Sequence, residues 1–71
     1  MTKLNLSSVD GLFVSYDLST IKNIRCGKAK DFYTKSDCED NNIRVTDAII
    51  KINFKNGSTS SFGNNWVATF A

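Results

Sequence analysis

The sequence predicts a small, mainly β fold, all-β or α+β: an antiparallel sheet or half-barrel of roughly four to six strands built on two hairpins. Three observations predict it. Apolar residues alternate with polar ones at both ends of the chain, two turn sequences ending in glycine interrupt the alternation, and helical spacing is confined to residues 28–40. At 71 residues the chain reads as one domain, 1–71, below the size at which a hydrophobic core comfortably outweighs chain entropy.

In the first hairpin, Leu4 and Leu6 alternate with polar residues, and after Val9-Asp10-Gly11 the pattern resumes at Leu12, Val14, Tyr16 and Leu18. Residues paired across an antiparallel ladder share a face, so register selects the loop. A two-residue Asp10-Gly11 loop sets Leu6 opposite Ser15. A three-residue loop, Val9-Asp10-Gly11 with Gly11 left-handed, sets Leu6 opposite Val14 and Leu4 opposite Tyr16, and is preferred.

Ile21, Ile24 and Cys26 then suggest a third strand ending at Gly27. From Lys28 to Asn42 the chain is polar. Ala29, Phe32, Tyr33 and Ser36 have helical spacing, and Ser36-Asp37-Cys38-Glu39 matches a capping box. Asn41-Asn42 follows where an apolar helical run belongs, so at most one turn is expected there. Ile43 and Val45 alternate on the parity opposite to Ile50 and Ile52, which asks for a bulge or break near Asp47.

The second hairpin repeats the turn chemistry of the first. A three-residue Lys55-Asn56-Gly57 loop sets Phe62 opposite Ile50, whereas a two-residue loop sets it opposite Lys51. A last strand, Trp66 to Phe70, puts Trp66, Ala68 and Phe70 on one side. The expected core is Leu4, Leu6, Val14, Tyr16, Ile24, Ile50, Ile52, Phe54, Phe62 and Trp66.

The composition narrows the chemistry. Nine basic residues face seven acidic ones and there is no histidine, which removes the commonest general base and the commonest metal ligand. Cys26 and Cys38 alone do not complete a structural zinc site, and Asp37, Glu39, Asp40 and Asn41 lack the spacing and glycine of an EF-hand loop. The Ser58-Thr59-Ser60-Ser61 run has no imidazole to activate it and reads as a polar strand face. Paired carboxylates need a cleft that so small a domain rarely encloses. No catalytic residue, metal or cofactor is therefore expected, and the protein reads as non-enzymatic.

Absence of a long apolar stretch argues against a membrane span or signal peptide and for the cytoplasm, where both thiols stay reduced; a disulfide between them, worth about 3 kcal/mol, is the alternative. Lys, Asn, Ile, Phe and Tyr are favoured and Pro is absent, the usage of an A+T-rich genome, which fits a bacteriophage or a low-G+C bacterium.

Charge is unevenly placed. Residues 20–36 carry Lys22, Arg25, Lys28, Lys30 and Lys35 against Asp31 alone, with Phe32-Tyr33 embedded, while residues 37–47 are acidic. In composition this segment resembles surfaces that stack and neutralise single-stranded nucleic acid; the plainer reading is that its two halves solvate the domain. Phe13 falls on the face opposite Leu12, Val14 and Tyr16, so it is either covered by the polar central segment or free to anchor a partner.

The candidate binding residues are thus Lys22, Arg25, Lys28, Lys30, Phe32, Tyr33, Lys35 and Phe13. By elimination the expected function is protein–protein recognition, in its most specific form a phage-encoded inhibitor of a bacterial host protein or defence complex, acting in the host cytoplasm. The alternatives are a single-stranded nucleic-acid binder and a structural subunit of a virion or ring. Homo-oligomerisation through sheet edges fits any of the three.

Overall fold

In the computed structural model, which describes residues 2–71, β1 (Lys3–Ser8) and β2 (Phe13–Asp17) form the first hairpin. Leu4 pairs with Tyr16 and Leu6 with Val14, and Gly11 has φ +88°. This is the three-residue loop that facial continuity demands. A 3-10 turn, Leu18–Thr20, carries the chain into β3 (Ile21–Lys28), one residue longer than the alternation predicts. A bulge between Ile21 and Asn23 lets both Ile21 and Ile24 reach the core.

β3 pairs with β4 (Ala48–Phe54), and β4 with β5 (Thr59–Phe62). Phe62 falls opposite Ile50, and Gly57 has φ +90°, so the second turn also follows the predicted chemistry. After Gly63-Asn64-Asn65, β6 (Trp66–Phe70) returns to the first sheet and pairs with β1. The result is two three-stranded antiparallel sheets, ordered β2-β1-β6 and β3-β4-β5.

The sheets face each other across Leu4, Leu6 and Ile52, which are buried; Tyr16, Leu18, Ile21, Ile24, Ile50, Phe54, Phe62 and Trp66 pack around them. Aromatic contacts close one side, with Tyr16 5.0 Å from Phe54 and Phe62 5.0 Å from Trp66 between ring centres. Val14, expected in the core, is half-buried and lies outside this cluster.

A second, smaller core lies on the far face of the second sheet, and alternation alone did not predict it. Ile49, on the parity opposite to Ile50 and Ile52, is buried against Ala29 and Cys38, with Phe32, Tyr33 and Ile43 around them. Residues Ala29–Asp31 form a 3-10 turn and Lys35–Asp40 a short helix, α1. Its N-cap is Thr34 rather than Ser36: the Thr34 hydroxyl accepts the Asp37 N–H at 3.1 Å.

The Asn41-Asn42 pair, which counts against a helix in the sequence, is its stop signal. Asn42 is left-handed at φ 55°, its N–H reaches the Glu39 carbonyl, and the Ile43 N–H reaches that of Cys38. This is a Schellman closure with its apolar contact between Ile43 and Cys38. Ile43 and Val45 therefore do not form a strand. A turn tied by the Asp47 carboxylate on the Arg44 N–H fills that stretch and supplies the expected break before β4. Both cysteines are free, Cys38 buried and Cys26 exposed.

Candidate functional site

The predicted binding residues divide between the two outer faces. On the second sheet, pairing sets Arg25 opposite Lys51 and Gly27 opposite Ile49, so these side chains share the face turned away from the main core. Gly27 leaves room for Phe32, whose ring lies 3.1 Å from where a β-carbon would stand. The Arg25 guanidinium sits 5.1 Å from the centre of that ring, over its face. Tyr33 packs into the second core and donates its hydroxyl proton to Ser61 Oγ at 3.0 Å.

Arg25, Phe32 and Tyr33 are thus brought together. The lysines leave from different places: Lys22 in the bulge, Lys28 on the parity opposite to Arg25, Lys30 in the 3-10 turn and Lys35 at the start of α1. All four are exposed, and among the described residues none forms a salt bridge. Lys51, directly opposite Arg25, adds a cation to this face that the sequence reading missed. Its outward parity between Ile50 and Ile52 is visible in the sequence; its pairing with Arg25 is not.

Phe13 stands on the other side of the molecule. Its side is the outer face of the first sheet, and nothing covers it: Phe13 is 66% exposed and the polar central segment packs on the second sheet instead. Register places Phe13, Ser7 and Val67 in one row across β2, β1 and β6, and Val67 is 60% exposed. Val9 and Leu12, at the same hairpin end, are exposed as well.

Further along the same face the rows become polar, then charged. Ser15 donates to Asn5 Oδ1 at 2.8 Å, and Lys3 pairs with Asp17. An apolar cluster bordered by satisfied polar groups is the surface pattern of a protein contact site. Val67 escaped the sequence reading because its neighbour Phe13 lies two strands away in the sheet and 54 residues away in the chain.

Among the described residues no three acidic or cysteine side chains converge where a metal ion could be held. A groove of about 600 Å³ opens between the end of β2 and the second hairpin, lined by Tyr16, Phe54, Lys55, Asn56 and Ser58 among others, but no carboxylate lines it. Among the described residues no helix is long and apolar enough to cross a membrane. The chain matches no family model, no curated protein and no solved structure.

Proposed function

We propose that this is a non-enzymatic binding protein whose contact surface is the outer face of the first sheet, with Phe13 as the anchor and Val67 beside it. The observation that carries the reading is the exposure of Phe13 in a row with Val67, on a sheet whose opposite face already supplies the main core. A partner offering an apolar pocket desolvates Phe13, while Ser15, Asn5, Lys3 and Asp17 form the polar rim. The unpaired lysines of β3 and the helical cover, Lys22, Lys28, Lys30 and Lys35, steer encounter with an acidic partner without touching it.

Within that class, the A+T-biased residue usage supports a phage-encoded inhibitor of a bacterial host protein or defence complex. Single-stranded nucleic acid is the weaker reading. The aromatics that would stack bases are already engaged, Phe32 under Arg25 and Tyr33 in the second core with its hydroxyl on Ser61.

Capture from lysates of bacterial hosts with tagged wild type and tagged Phe13→Ser tests the proposal. Wild type is expected to retain a partner in stoichiometric amount. The variant is expected to lose about 2 kcal/mol of binding or more, roughly thirtyfold in affinity. Equal recovery by both, or no stoichiometric partner, rejects it. Salt-sensitive binding of a labelled single-stranded oligonucleotide, lost in Lys30→Ala, would instead move the function to the basic segment.

A further inference from the structure

The open edge of β6 carries an inference separate from partner binding. Four strands end the two sheets, and three of them carry the usual protections against pairing with another chain. β2 ends in Asp17, β3 has a bulge and three cations, and β5 is only 4 residues long. β6 has none of these. Residues 56–71 contain no charged side chain and no proline, and the β1–β6 register runs without a bulge from Trp66 to Phe70.

The chemistry of β6 reads the same in both directions. Trp66-Val67-Ala68-Thr69-Phe70 is aromatic, β-branched, small, β-branched, aromatic. The backbone parity agrees with this symmetry. Lys3 and Ala71 exchange both of their N–H···O bonds, at 3.0 Å each. Alternation then directs Thr69 and Val67 toward β1, and leaves the N–H and C=O of Ala68 and Phe70 pointing away from it, along the open edge.

We infer that β6 pairs antiparallel with β6 of a second copy of this chain, about a twofold axis at Ala68. Ala68 exchanges both bonds with its own counterpart, and the Phe70 N–H reaches the Trp66 carbonyl of the second copy. Trp66 then faces the second copy's Phe70, and Val67 its Thr69, so every pair joins like with like. Phe70 sits on the core parity yet is 54% exposed, which leaves room on that face for the second copy's Trp66. The continuous six-stranded sheet leaves Phe13 uncovered, so the inference does not depend on what Phe13 binds.

Sedimentation velocity at high micromolar concentration, on wild type and on Ala68→Pro, is the test. Proline removes only an N–H that points away from β1, so it spares the β1 ladder. Wild type is expected at twice the chain mass of 7.9 kDa, and the variant at 7.9 kDa with an unchanged circular dichroism spectrum. A monomeric wild type, or a dimer that survives Ala68→Pro, overturns the inference. If the variant does not fold, amide exchange in the wild type decides. Protection of Ala68 and Phe70 to the level of Val67 and Thr69 supports edge pairing, and fast exchange at the first two overturns it.

Discussion

A β-carbon added at Gly27 would lie 3.0 Å from the Asp31 carboxylate and 3.1 Å from the Phe32 ring, both held by the turn that covers Ile49. At Gly57 no atom lies within 4 Å, but φ is +90°, a conformation costly for any residue with a side chain. Alanine therefore destabilises both positions for different reasons. Gly27→Ala is expected to cost about 1–3 kcal/mol through crowding, and Gly57→Ala about 1–2 kcal/mol through backbone strain. Urea unfolding reads both. Only at the crowded site is the added cost of alanine expected to shrink when it is measured in a Phe32→Ala background, with the Asp31 contact retaining part of it. Gly57 and Gly11 were legible because the apolar register on either side fixes the loop length. Gly27 was not, because the ring it accommodates arrives through tertiary packing that no local pattern encodes.

The short helix shows how local signals mislead when an element is too brief to have a period. One turn and a half of polar residues offers no apolar stripe, so the choice rested on its ends. The Ser36 capping box competed with the true cap at Thr34, and the Asn pair read as a helix breaker is its left-handed closure. What anchors the helix is Cys38, 1% exposed against Ile49 and Ala29. Thr34→Ala is expected to cost about 1 kcal/mol. Because Cys38 becomes accessible only when this segment opens, its labelling by a thiol reagent is expected to accelerate roughly fivefold in the variant. Cys26, exposed in both proteins, labels at an unchanged rate and serves as the internal reference. Equal Cys38 rates in variant and wild type would show that Thr34 does not hold the helix.

Across the whole molecule, the Cα extents of 36 × 28 × 15 Å describe a thin sandwich with little interior. Its two outer faces make up much of the surface, and they differ. One carries Arg25 and Lys51 with Phe32, beside the helical cover; the other carries Phe13 and Val67 above a polar rim. The strand parity that turns Phe13 outward was readable from Leu12, Val14 and Tyr16. That Phe13 and the basic segment stand on different sheets was not readable, because position in the chain says nothing about which sheet a strand joins. Folding leaves Phe13 without apolar cover, so the proposed role of Phe13 in binding requires that it contribute little to stability. The unfolding free energy of Phe13→Ser tests this directly. The expected value lies within about 0.5 kcal/mol of wild type, as for an ordinary surface substitution. A loss of about 2 kcal/mol or more, the range of a buried side chain, would show that Phe13 serves the fold and would contradict its assignment as the partner anchor.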